Sequence, residues 1–389
     1  MSVRELDEAR ARTARLQAEM QDTGVPVAVF TDEASIAYLA GFWGYLGVGF
    51  GRPTFLVVPA DADPVVVTPA LEAEMAAAMT WVADMRVWED AGQRSWARVL
   101  AQVLGEAPPA IWIEAAQVPA LVRAFLDERY AGVVLGDIGP VLGGLRMIKW
   151  EFEIGVLRQA GRIAGAMMAA AHGSLRQGAR EYDSALAVIE AGTRAAASYL
   201  TGAGRERFVS PMIHGLQILQ SGADCSMVHR RASVRAYRRG DPVYFCFCNM
   251  AQFRQYKLGF DRVFHIAEVR ERDRAVQEAA IAAQGAAIAA IRPGVRAEEV
   301  AAAADAVYAA RGYATGYRTG RAVGMSYLEA PELKAGDRTV LRPGMTFAVD
   351  GGISVDGVTA GRIGDSVVVT EAGCEFLTEY PREVMVTEG

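Results

Sequence analysis

Residues 341–373 read LRPGMTFAVDGGISVDGVTAGRIGDSVVVTEAG. The stretch is rich in β-branched and small residues, with a break at Gly351-Gly352 and a turn signal at Asp356-Gly357. That composition predicts strands joined by a tight turn. Working back along the chain, Asp273 to Ile291 and Ala297 to Arg311 read as helices, separated by Pro293-Gly294. Pro242 to Ala251 and Phe260 to Glu268 read as long β segments. A long helix starts at Lys149, with Ile154, Leu157, Ala160, Ile163 and Met167 at helical spacing. A second helix covers Tyr182 to Gly192. The C-terminal half is therefore expected to be α+β, an antiparallel sheet flanked by helices.

The N-terminal part has a different rhythm. An amphipathic helix over Val3 to Met20 precedes short apolar runs at Pro26–Phe30, Phe55–Val58, Pro64–Val67, Ala110–Glu114 and Gly132–Leu135. A helical stretch, Ala70 to Met79, lies between them. Strands alternating with helices predict a small α/β domain. The glycine-rich, proline-containing stretch Asp137 to Leu145 reads as a boundary, giving domains 1–145 and 146–389.

The composition narrows the function. Of 389 residues, 52% are hydrophobic and 22% charged, as in a globular protein able to bury large cores. A net charge of −6 argues against nucleic acid or a membrane surface as the main partner. The longest alanine-rich run, Ala279 to Ala290, is too short to span a bilayer. The N-terminus lacks the apolar core of a signal peptide. Cys225, Cys246, Cys248 and Cys374 form no C-x-x-C pair, so reduced thiols in a cytoplasmic protein are expected.

Four phrases occur in order: Met147-Ile148-Lys149, Arg239-Gly240-Asp241, Leu341 to Met345 and Val367 to Gly373. With them the chain from about Arg146 onward resembles the pita-bread family of creatinase, Xaa-Pro peptidases and methionine aminopeptidases. The N-terminal part is similar to the matching domain of creatinase and prolidase. For the peptidases, the resemblance implies two metal ions held by two Asp, one His and two Glu. Anchored on Arg262, those positions fall on Cys248, Gly259, Arg321, Asp350 and Gly364. One acidic ligand of five remains, so no metal or other cofactor is expected. The resemblance then points to the metal-free, creatinase-like branch. At the spacing of the creatinase histidine, Gln220-Ser221-Gly222 leads to His229. The matching acids are Asp261 and Asp350, and Phe50-Gly51-Arg52-Pro53 matches a phrase that grips a substrate carboxylate from the neighbouring subunit. Creatinase has histidines at the positions of Arg321 and near Gly364, which this chain lacks.

These residues define an expected site. An imidazole can exchange protons at working pH, so His229, beside Arg230 and Arg231, would act as general acid/base. Asp261 and Asp350 would position the substrate, and Arg52 and Arg321 would hold an anion. Phe50, Tyr256 and Cys248 would line the pocket. Cys246 and Cys248 alternate along one strand and so share a face. His172, His214 and His265 read as structural. The expected activity is metal-independent hydrolysis of a C–N bond in a small carboxylate-bearing molecule by a homodimer. The alternatives are a lyase in which the same histidine abstracts a C–H proton, and an inactive pita-bread binding module.

Overall fold

The computed structural model describes residues 3–44, 51–90, 95–202, 207–214, 218–314 and 318–388. The chain divides into two compact units, Met1–Arg146 with Gly204–Phe208, and Met147–Ala203 with Val209–Gly389.

The first unit runs α1 (Val3–Thr23), β1 (Val27–Phe30), α2 (Glu33–Ala40), β2 (Phe55–Pro59), β3 (Val65–Pro69), α3 (Ala73–Met79), β4 (Asp84–Trp88), α4 (Ser95–Leu104), β5 (Ala110–Ile113), α5 (Ala120–Arg129), β6 (Val134–Asp137) and α6 (Gly139–Met147). Its sheet has the order β4-β3-β2-β1-β5-β6, parallel except where β2 pairs with β1 and β3. The apolar runs are legible because β2 and β3 are buried on both faces. β4 (DMRVW) escaped the reading because it is a half-exposed edge strand. The glycine-rich stretch read as the boundary forms a helix. Burial of Leu142 and Leu145 outweighs the helix penalty of its glycines, about 1 kcal/mol each.

The second unit runs α7 (Glu151–Ser174), α8 (Glu181–Leu200), β7 (Ile218–Ser221), β8 (Pro242–Cys246), β9 (Gln252–Phe253), β10 (Tyr256–Lys257), β11 (Asp261–His265), α9 (Glu271–Ala290), α10 (Ala297–Ala310), β12 (Gly320–Ala322), β13 (Glu329–Leu333), β14 (Thr346–Val355), β15 (Thr359–Val369), β16 (Cys374–Phe376) and β17 (Met385–Val386). Its main sheet has the order β13-β12-β14-β15-β11-β8-β7, with every pairing along it antiparallel. β14 and β15 form the hairpin expected at Asp356-Gly357, and β14 runs straight through Gly351-Gly352. The β segment expected over 242–251 stops at Cys246. The chain then turns, with Asn249, Arg254 and Gln255 at positive φ.

Period-two alternation decides what each sheet face does. Phe347, Val349 and Ile353 of β14 join Val367 and Val369 of β15 in a core with Ala283, Ala287, Val300 and Ala304 of α9 and α10. Ala348 and Asp350, and Gly364 and Ser366, therefore point to the opposite face. No helix among the described residues is long and apolar enough to cross a membrane.

Candidate active site

One row of residues crosses four adjacent strands. Cys246 on β8 lies opposite Asp261 on β11, Asp261 opposite Gly364 on β15, and Gly364 opposite Asp350 on β14. Direct cross-strand partners share a face, so these residues converge on one spot. A neighbouring row holds Gly259, Ser366, Ala348 and Arg321. Ser366 lies opposite Ala348 and Ala348 opposite Arg321, while Gly259 exchanges hydrogen bonds with the Ser366 hydroxyl through its N–H (3.0 Å) and carbonyl (2.9 Å).

The glycines make room for charge. A Cβ at Gly364 would sit 3.0 Å from Asp261 Cγ and from Asp350 Oδ1, so the two carboxylates lean toward each other over it. A Cβ at Gly259 would sit 2.6 Å from Ala348 Cβ and 3.0 Å from Arg321 Nη2, so the guanidinium fills that gap. Arg321 donates from Nη1 to Asp350 and lies 4.2 Å from the centre of the Tyr327 ring. The Tyr244 hydroxyl donates to Asp261 Oδ2 at 3.0 Å. Cys248 Sγ lies 2.7 Å from Cys246 Sγ and against the Tyr327 hydroxyl.

Asp261 is 8% exposed. Burial and then the charge of Asp350 push its carboxyl up to about 6, against the pull of Cys246, Arg321 and Tyr244. Burial works against the charge on Arg321, but Asp350 and its other neighbours outweigh it and raise its pKa further. Among the described residues, Asp261 Oδ1, Asp350 Oδ1 and Arg321 Nε have no hydrogen-bond partner although all are buried. Unpartnered buried polar atoms are costly, so three in one place mark where a ligand would complete the set.

Asp261, Asp350, Arg321 and Cys248 are thus brought together. The other expected residues are placed elsewhere. His229 is exposed in the loop after the 3₁₀ turn Gly222–Ser226. No hydrogen bond among the described residues joins it to either carboxylate. The Q-S-G phrase serves a structural network instead. Ser221 donates to Glu181 at 2.6 Å, and the same carboxylate takes Arg230 and Ser233, which hold it below its ordinary range despite burial. Tyr256 is buried, with its hydroxyl donating to Glu153 at 3.0 Å. Arg52 lies in the first unit and pairs with Asp90 through Nε at 2.7 Å. Phe50 lies outside the described residues. The reading missed Tyr244 and Tyr327. Tyr244 was findable, since it precedes Cys246 by two residues on the same strand; the contact of Tyr327 with Arg321 depends on how the loop after β12 folds.

The two-ion centre implied by the pita-bread resemblance does not fit these residues. Gly259 and Gly364 supply no donor, and the spaces a longer side chain would need are filled by Arg321 and by the leaning carboxylates. Arg321 places a fixed positive charge at a ligand position, paired with the remaining acid.

Residues 155–371 match the model of Metallopeptidase family M24, and residues 12–148 match the Creatinase/Prolidase N-terminal domain. The chain is 34% identical over 387 residues to a probable dipeptidase PepE from Mycobacterium tuberculosis, covering 96% of each. It is 31% identical over 393 residues to the agropine synthesis cyclase of Rhizobium rhizogenes, covering 95% of this chain and 96% of that one. The crystal structure of dipeptidase PepE from Mycobacterium ulcerans superposes with a TM-score of 0.83 at 28% identity, covering 98% of both chains. These findings overturn the expectation of a metal-independent, creatinase-like C–N hydrolase that is not a metallopeptidase. The family is one of metallopeptidases, and the relatives matched over nearly the whole chain include a probable dipeptidase and a dipeptidase of known structure. The misfit of the two-ion ligand set is a property of these particular residues; the chain itself belongs to Metallopeptidase family M24, with a creatinase/prolidase N-terminal domain.

Proposed function

We propose that the chain acts on the amide bond of a small, dipeptide-like molecule bound over the Asp261–Gly364–Asp350 row. The observation that carries this is the set of buried, unpartnered atoms there: two carboxylate oxygens and one guanidinium N–H. A dipeptide offers the matching groups, with ammonium and amide N–H for the carboxylates and a carboxylate or carbonyl oxygen for Arg321. Asp350 both anchors Arg321 and presents an acceptor, so one residue fixes the spacing between the two binding ends. Cys248 and Tyr327 wall the site. The dipeptidase relatives support an amide substrate. The reading extends to a cytoplasmic homodimer, as the creatinase resemblance implies; light scattering on the purified chain tests the dimer.

Release of free amino acid from a panel of dipeptides, with and without a C-terminal proline, tests the activity. Turnover is expected, with kcat/KM lowered at least about 100-fold in Asp350→Asn and Arg321→Met, equivalent to about 2.7 kcal/mol of transition-state binding. A folded wild-type protein that turns over none of the panel would overturn the reading.

The full-length match to a cyclase favours a second reading, intramolecular ring closure at the same site. Heavy-oxygen water separates the two. Hydrolysis places one solvent oxygen in the product carboxylate, whereas ring closure with loss of water places none.

A further inference from the structure

We propose that Cys246, Cys248 and Asp261 form a binding site for a single zinc-type ion, displaced from the family's two-ion centre. One donor atom from each lies within 4.8 Å of the other two. The arrangement is built by the sheet. Cys246 ends β8 directly opposite Asp261, and the Phe247 N–H bonds to the Phe260 carbonyl at 3.0 Å. The chain thereby continues beside β11 for one more residue and brings Cys248 Sγ to 2.7 Å from Cys246 Sγ.

Asp261 supplies the second observation. Its Oδ2 is taken by Tyr244, but its buried Oδ1 has no partner among the described residues. A cation there would satisfy it. Two thiolates and one carboxylate form a set suited to zinc, and three protein ligands leave the open fourth position typical of catalytic rather than structural sites. Charge also closes. A divalent ion with these three anions carries −1, and the adjacent Arg321–Asp350 pair is neutral. Only Cys248 of the three falls on a family ligand position. The ion would take the Asp261 Oδ1 that the proposed activity assigns to substrate, leaving Asp350 Oδ1 and Arg321 Nε for the substrate. Metal binding is read without substrate, so its failure and that of the proposed activity are distinguishable.

The test is titration of the chelator-treated full-length protein with cobalt(II) chloride, followed by zinc chloride. One equivalent of cobalt should bind with an intense near-ultraviolet thiolate-to-metal absorption, and one equivalent of zinc should abolish it. Zinc should also protect two of the four thiols from a disulfide reagent. Cys374→Ser, which removes a thiol near the Ile288 carbonyl, should change neither readout. Cys246→Ser places a hydroxyl in the apolar cluster of Ile218 and Val263, so Cys248→Ser, at a half-buried position, is the decisive variant. It should weaken cobalt binding more than about 100-fold, beyond what losing an outer partner of a ligand brings. Absence of the absorption in folded wild-type protein, or its survival in Cys248→Ser, would overturn the site.

Discussion

Arg262 and Asp365 form an ion pair at 2.9 Å in which each side chain is only 1% exposed. Arg262 uses all five of its N–H donors. Beyond Asp365 they reach the carbonyls of Asp261, Gly364, Tyr380 and Pro381. Asp365 in turn accepts from Gln284 and Thr378. The pair therefore holds the backbone of two members of the candidate site from the sheet's far side. Arg262→Met should destabilise the chain by about 3–5 kcal/mol, because it leaves a carboxylate buried and uncompensated. Urea unfolding measures this; a loss under about 1 kcal/mol would mean the pair is not what holds the row.

Gly364→Ala should separate binding from folding. Its new Cβ would press on both carboxylates at 3.0 Å. Overpacking of this kind costs about 1–3 kcal/mol, and the carboxylates would be forced apart. The expected outcome is a folded protein with kcat/KM reduced at least about tenfold. Unchanged kinetics would show that the closeness of Asp261 and Asp350 has no part in catalysis.

His265 gives the second unit an acid-side weakness. It is fully buried, and among the described residues neither ring nitrogen has a partner. Burial lowers its pKa from 6.5 to about 4. The folded state thus resists protonation that the unfolded state accepts. Stability from this group is complete above pH 6.5 and falls by about 1.4 kcal/mol per unit between there and pH 4. His265→Phe should flatten that slope in a pH series of unfolding midpoints; an unaltered slope would assign it to other groups.

Glu114 should act in the opposite direction in the first unit. It is 4% exposed and bonded to the Ser35 hydroxyl, which also receives Arg146 Nη2 at 2.9 Å. Burial is the main cause that raises its pKa from 4.5 to about 7. The folded state holds the proton more tightly than the unfolded one. Stability therefore declines as pH rises from 4.5 to 7 and levels off above that, by about 3 kcal/mol in total. Glu114→Gln should gain on wild type steadily through this range. A constant difference between the two proteins would refute the assignment.

Much of the fold was readable because burial and periodicity coincide. The apolar spacing of α7 marks its core face, and Asp356-Gly357 marks the β14–β15 hairpin. The reading failed where conformation hangs on single dihedrals or on tertiary burial. The end of β8 depends on a turn with Asn249 at positive φ, and α6 forms from glycines held by two leucines. The site was half legible. Asp261, Asp350 and Arg321 were found through motif resemblance, but their meeting over Gly364 requires the register of three strands, which no spacing along the chain encodes. His229 was read into the site from the phrase before it; the structure places it exposed in the loop after Gly222–Ser226, while Ser221 and Arg230 bind Glu181.

The row also bears on how the sheet assembles. If β15 slipped one residue along β11, Ile363 or Asp365 would face Asp261 and every side chain of β15 would change sides. A slip of two would drive Arg362 or Ser366 between the carboxylates. Among these five neighbours only Gly364 lacks a side chain and lets Asp261 and Asp350 approach. Correct strand alignment is thus a condition of the site, and a chain that folds out of step cannot present the paired acids at all.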